Sequence, residues 1–236
     1  MKKAVIFDLD GLLIDSEIIS YNIYADLLRR YRLPFNLDTY ARLYSGKNGL
    51  TNMQTLIYTY HLPLTVEEGL AFVDAREKEY FAKGVALKSG ARELLHFLKN
   101  HHVKILLASS STRERALGIL NQHGISGFFD AMVFGPEIER GKPFPDIFIK
   151  AQERSGEAAA DCLVLEDSEV GIRAACGAGI DVICIPDMKK PDEPFLSAAA
   201  AVLPSLLDVP MWLTTSSVAA ATPSPKGKAG DAFPSI

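Results

Sequence analysis

Short apolar runs recur along the chain at the length of strands: residues 4–7 (AVIF), 105–108 (ILLA), 131–134 (AMVF), 162–165 (CLVL) and 182–185 (VICI). Each is apolar at every position rather than at alternate ones, the pattern of a parallel strand covered on both faces. Residues 91–99, 112–123, 145–155 and 169–178 lie around these runs and carry helical patterning. Strand and helix in alternation predict an α/β fold, a Rossmann-like doubly wound parallel sheet.

Residues 15–83 break this rhythm. They hold no strand-like run and read as helices joined by turns at Leu33-Pro34, Ser45-Gly46 and Leu62-Pro63. Thr65-Val66-Glu67-Glu68 has the spacing of a capping box, which would start the last of these helices. The expected organisation is an α/β core from residues 1–14 and 84–213, with a small all-α unit, 15–83, inserted after the first strand. From Thr214 the residues are mostly small or polar. Such a segment buries too little surface to offset its ordering entropy, so 214–236 is expected to be a flexible tail.

Composition narrows the partners. The 236 residues include 25 basic and 29 acidic ones, a net charge of −4, which argues against a general nucleic-acid binder. Cys162, Cys176 and Cys184 are odd in number and lie in apolar segments, as reduced thiols do. No apolar run approaches the ~18 residues of a membrane span. The opening MKKAVIFDLDG sets two aspartates where a secretory leader would be apolar, so the chain is expected in the cytoplasm.

In open α/β sheets ligands bind beyond the carboxyl ends of the strands. There the sequence places Asp8-Leu9-Asp10-Gly11, Ser109-Ser110-Ser111, Glu166-Asp167-Ser168 and, in a loop after the 131–134 run, Gly141-Lys142-Pro143. Ser111-Thr112-Arg113-Glu114 reads as a capping box with Ser111 as the cap, and Ser168 also reads as a cap. Asp8 and Asp10 call for more. If strand alternation continues, they point the same way, and two adjacent carboxylates need a compensating cation. With Glu166 and Asp167, four carboxylates are expected to converge, and such hard oxygen donors suit Mg²⁺. Carboxylates, a lysine and serine hydroxyls before a helix N-terminus describe a site for an anion, with phosphate the obvious one. Phosphate-monoester hydrolysis needs acceleration of up to about 10²¹-fold. A lone general base supplies only about 10²–10⁴.

The motifs FDLDGLLIDSE, SSST, GKPFPDIF and LVLEDSEVGIRAACGAG occur in order between Lys2 and Asp208. They resemble the four motifs of the haloacid dehalogenase (HAD) superfamily. The helical insert resembles the type 1 cap of its β-phosphoglucomutase and sugar-phosphate phosphatase branch. The resemblance implies Asp8 as the nucleophile forming an aspartyl-phosphate and Asp10 as general acid and base, its carbonyl also on the metal. It implies Asp167 as a direct Mg²⁺ ligand, with Glu166 supporting through a metal-bound water. Ser109 and the Ser110 N–H would hold the transferring phosphoryl group, and Lys142 would bridge Asp8 and phosphate. Gly11 would allow the turn that follows.

Dehalogenases and phosphonate hydrolases of this superfamily lack the second aspartate, which is present here. β-Phosphoglucomutases carry a cap histidine and a phosphate-gripping cap arginine. The matching positions fall at Ser20 and Gly49, which favours simple hydrolysis of a small phosphorylated metabolite. A phosphomutase and a non-catalytic binding protein on the same scaffold are the alternatives. Lys47, Asn48 and Asn52 are candidate cap contacts from loop position. A monomer without nucleic-acid or membrane partners is expected.

Overall fold

The computed structural model describes residues 1–219. The chain folds as two compact units, one of Met1–Ile14 with the chain from Leu87 onward, the other Asp15–Ala86. It begins with β1 (Ala4–Phe7) and then enters the second unit, which is all helical. The helices of that unit are α1 (Ser16–Arg30), α2 (Leu37–Leu43), α3 (Gly49–Tyr60) and α4 (Val66–Lys83). Thr65 caps α4 in a full capping box with Glu68. Tyr24, Tyr40, Tyr44, Met53 and Leu56 form its buried interior. The unit closes at Ala86 rather than at 83, because the Asp15 N–H donates to the Ala86 carbonyl at 2.9 Å.

The first unit resumes with α5 (Ala91–Asn100), β2 (Lys104–Ser109), α6 (Arg113–Gln122), β3 (Ala131–Phe134), α7 (Asp146–Ser155), β4 (Cys162–Glu166), α8 (Glu169–Gly177) and β5 (Asp181–Cys184). It ends with α9 (Phe195–Ala198), β6 (Ala201–Val202) and α10 (Val209–Ala219). The strands form one sheet of order β3-β2-β1-β4-β5-β6, all parallel. The five apolar runs are the first five strands. The two-residue β6 carries no periodic signal and was not expected.

Both faces of the sheet are covered. Ala4, Ile6, Leu106, Ala108 and Val164 join Ile147, Phe148 and Ala151 of α7 and Ile172 of α8 in one apolar cluster. Val5, Phe7, Leu107 and Leu165 alternate with these and are equally buried, with α5 against β2. Each fully buried side chain of this size contributes roughly 1.5–3 kcal/mol. Cys162 and Cys184 are buried, Cys176 partly so, and all three are free thiols. Among the described residues no helix is long and apolar enough to cross a membrane.

The first residues of the expected tail are helical. α10 runs to Ala219 and takes in 214–219, continuing a turn that begins with the buried Val209 and Leu213. The remainder of that segment, 220–236, lies outside the described residues.

Candidate active site

The chain leaves β1 for strands on one side and later returns to the other, so the sheet's order reverses at the end of β1. Asp8 stands at that point. Its N–H donates to the Leu165 carbonyl at 3.1 Å, extending the ladder one residue beyond Phe7. The Asp8 side chain is buried against Lys142, whose Nζ donates to Asp8 Oδ1 at 2.5 Å and to Glu166 Oε1 at 2.6 Å. Lys142 lies in the loop between β3 and α7, with Nζ 4.9 Å from the centre of the Phe148 ring. An ammonium at that distance is further held by the ring face.

The second oxygen of Glu166 is also fully used. Oε2 accepts from the Asp167 N–H at 2.8 Å, the Ser168 N–H at 2.8 Å and the Ser168 hydroxyl at 2.9 Å. Ser168 is the N-cap of α8, as expected, and its Oγ accepts from the Gly171 N–H at 3.2 Å. Gly171 is required here, since a Cβ would sit 1.8 Å from the Glu166 carboxylate. Gly11 has φ +79° and lets the Asp167 carboxylate approach closely: a Cβ there would lie 2.3 Å from Asp167 Oδ2.

The charges are unequal. Burial pushes the Asp8 carboxyl up to about 7, against the pull of Lys142 and with the push of Glu166. Burial, then Glu166 and Asp8, hold Asp167 well above the usual carboxylate range. Burial also opposes the charge on Glu166, but Lys142 and the Ser168 donors outweigh it and keep this group below its ordinary value. Burial alone would lower Lys142; the two carboxylates override it and hold the ammonium above the ordinary lysine range. One lysine therefore faces three carboxylates, of Asp8, Glu166 and Asp167, whose nearest oxygens lie within 4.8 Å of one another. That excess of hard anionic oxygen fits a divalent cation.

The fourth expected carboxylate, Asp10, lies outside that group of three, though near enough for its charge to add to the push on Asp8. Asp10 accepts a bidentate pair from Arg115, Nη1 to Oδ2 at 2.9 Å and Nη2 to Oδ1 at 2.8 Å, and Nη1 also reaches Ser111 Oγ at 3.1 Å. Strand alternation does not set the direction of Asp10, because the strand ends at Phe7. Leu9 is buried, Gly11 turns the backbone, and the Leu13 N–H closes on the Leu9 carbonyl at 2.9 Å. Sequence reading missed Arg115. Its available signal was a cation in the first turn of a helix, where it opposes the dipole.

Ser109 ends β2, is buried, and accepts the Ser111 N–H at 3.1 Å on its Oγ, while Ser110 is exposed. Ser111 is not the cap of α6. Thr112 is, accepting the Arg115 N–H at 3.3 Å, because the Ser111 hydroxyl is engaged by the Arg115 guanidinium. The serine loop is held by Gly135 just after β3. Its N–H donates to the Ser111 carbonyl at 3.1 Å, and a Cβ there would lie 2.2 Å from the Ser110 carbonyl oxygen. Gly135→Ala must therefore move Ser110. An ångström of misplacement costs about 10²-fold, so kcat/KM is expected to fall by tenfold or more with little loss of helix content. Steady-state kinetics beside circular dichroism check this; parental kcat/KM would contradict it.

In the helical unit, Asn48 is the N-cap of α3, accepting the Thr51 N–H at 2.8 Å. Asn52 is buried and its Nδ2 donates to the Tyr44 carbonyl at 2.9 Å. Both amides serve the local fold, which a reading from loop position could not foresee. Lys47 is exposed, with Nζ donating to the Leu43 carbonyl at 2.8 Å.

Comparison with known proteins gives a consistent result. Residues 5–185 match the family model described as haloacid dehalogenase-like hydrolase. A phosphorylated carbohydrates phosphatase of Thermotoga maritima is 32% identical over 181 residues, 77% of this chain and 83% of that protein. A β-phosphoglucomutase of Bacillus subtilis is 33% identical over 184 residues, 75% of this chain and 80% of its own length. Among solved structures, a HAD family hydrolase from Deinococcus radiodurans with bound phosphate and sodium superposes with a TM-score of 0.78 at 26% identity, covering 92% of this chain and 97% of that one.

Proposed function

The chain belongs to the haloacid dehalogenase-like hydrolase family, and from that premise we propose that it hydrolyses a small phosphorylated metabolite, of sugar-phosphate type, using Mg²⁺ and an aspartyl-phosphate at Asp8. It is a phosphoric monoester hydrolase. The observation that carries the finer reading is the buried Asp8 carboxylate at the switch point of the sheet, held by Lys142.

Asp8 attacks phosphorus and the ester P–O bond breaks, with Asp10 giving its proton to the leaving oxygen. Water then attacks the phosphorus of the aspartyl-phosphate, Asp10 takes the water proton, and Asp8 leaves as carboxylate. The Ser109 hydroxyl and Ser110 N–H bind the phosphoryl oxygens, and Lys142 offsets charge that develops there. Asp8, Asp167 and the Asp10 carbonyl would hold Mg²⁺, with Glu166 in support; the ion supplies positive charge against the phosphoryl oxygens.

Hydrolysis is favoured over mutase chemistry by the helical unit. Gly49 opens α3 and has no side chain to grip a second phosphate. The test is a panel of sugar phosphates, nucleoside monophosphates and small phospho-acids, with Mg²⁺ or EDTA and with or without a sugar bisphosphate primer. Phosphate release that needs Mg²⁺ but no primer supports this reading. Isomerised sugar phosphate only with primer would replace it by the mutase. No turnover of any kind would favour a binding protein.

Mg²⁺ should stabilise the fold more at alkaline than at acid pH. The Asp8 carboxyl at about 7 lies above its ordinary value of 3.8, so the folded metal-free protein holds a proton that the unfolded chain has released in between. Stability of the metal-free protein from this group therefore falls as pH rises through that window. A cation neutralises the same cluster without the proton. The rise in thermal midpoint with Mg²⁺ is expected to be larger at about pH 8 than at about pH 5. An equal rise at both would contradict the assignment of Asp8 to the metal.

A further inference from the structure

Of the four carboxylates expected to converge, Asp10 is the one outside the Asp8–Glu166–Asp167 group, and both its oxygens face one guanidinium. Resting on the reading of Asp10 as acid and base, we propose that Arg115 is its positioning residue. The bidentate pair holds the Asp10 carboxylate outside the reacting cluster, and turnover requires Asp10 to exchange Arg115 for the substrate's leaving oxygen.

Three observations carry this. First, the pair is bidentate: the two terminal guanidinium nitrogens meet different oxygens of Asp10, at 2.9 and 2.8 Å, the arrangement that fixes a carboxylate's orientation as well as its place. Second, Arg115 lies in the first turn of α6, where a cation works against the helix dipole, so the helix itself does not account for its place. The Ser111 hydroxyl steadies the same guanidinium at 3.1 Å, which ties the latch to the serine loop expected to bind the phosphoryl group. Third, the pair is partly open to water, the Arg115 side chain 25% and the Asp10 side chain 39% exposed. Water can replace either partner when they separate. A fully buried pair would be too costly to part on each turnover, whereas a partly exposed one has a modest free energy.

The latch opposes engagement of Asp10, so removing it should speed turnover. Arg115→Met in the full chain is expected to raise kcat about fivefold on the best sugar phosphate of the panel, the factor set by a modest partly exposed ion pair. Arg115→Lys, with a point charge in place of a fork, should fall between parent and Met. Asp10→Asn should abolish turnover, and adding Arg115→Met to it should change nothing, because the guanidinium acts through the carboxylate. The outcomes separate the two ideas. If Asp10→Asn is inactive and Arg115→Met is no faster than the parent, the latch is wrong and the acid–base role stands. If Arg115→Met alters the residual rate of the Asp10→Asn protein, Arg115 touches the substrate itself and the latch is again wrong. Parental turnover by Asp10→Asn, or no turnover of any panel member by the parent, overturns the acid–base reading and the latch with it.

Discussion

Replacing Asp8 by asparagine is expected to lower turnover by about 10⁴-fold or more, the order of loss when a covalent nucleophile is removed. The amide has the shape of the carboxylate but neither its charge nor its nucleophilic oxygen. The fold should survive. Asp8 is a carboxyl whose charge burial and Glu166 disfavour, and a neutral group in its place relieves that crowding while Lys142 keeps its bond to Glu166. The thermal midpoint of the metal-free variant should therefore equal or exceed that of the parent near neutral pH. Activity within tenfold of the parent would remove Asp8 from the mechanism. A large fall in midpoint would show that its charge is structural.

Replacing Lys142 by methionine should have the opposite balance, harming both stability and activity. Methionine fills the stem's space beside Phe148, but the ammonium that serves Asp8 and Glu166 is gone. Removing one partner of a buried ionic cluster costs about 3–5 kcal/mol. At roughly 2–4 °C per kcal/mol for a chain of this size, the midpoint should fall by about 10 °C. The pH dependence identifies the cause. Without the lysine, burial and mutual repulsion hold both carboxyls above their unfolded values, so the folded variant binds more protons than the unfolded chain. Its deficit should shrink as pH falls and grow as pH rises. Turnover should drop by 10²-fold or more, because a preorganised positive group is lost. Thermal scans across pH with steady-state assays check this; a midpoint at the parental value near pH 8 would contradict the cluster's energetics.

How much of this was legible in the sequence varies with what each residue answers to. The five apolar runs became strands because a parallel strand covered on both faces has no polar position to blur its edges. Thr65 and Ser168 could be read as caps because a cap depends on residues three positions away. Asp8, Lys142, Glu166 and Asp167 could be placed together because strand ends in such a sheet share one edge. Asp10 could not, since its direction is set by the turn at Gly11 and by a guanidinium distant in sequence. The shift of the α6 cap from Ser111 to Thr112 has the same source, because Arg115 engages the Ser111 hydroxyl. Asn48 and Asn52 are candidate cap contacts by loop position alone, and only the folded helical unit shows their amides bonded to its backbone.

The most direct test of the central claim is to catch the phosphoryl group on the protein. The parent enzyme would be mixed with Mg²⁺ and its best phosphomonoester, quenched in acid within a turnover, and digested for mass spectrometry. The account predicts a peptide heavier by one phosphoryl group, with the modification on Asp8 and absent from the Asp8→Asn protein. Rapid phosphate release with Asp8 unmodified at every quench time, or a phosphoryl group found on another residue, would contradict it.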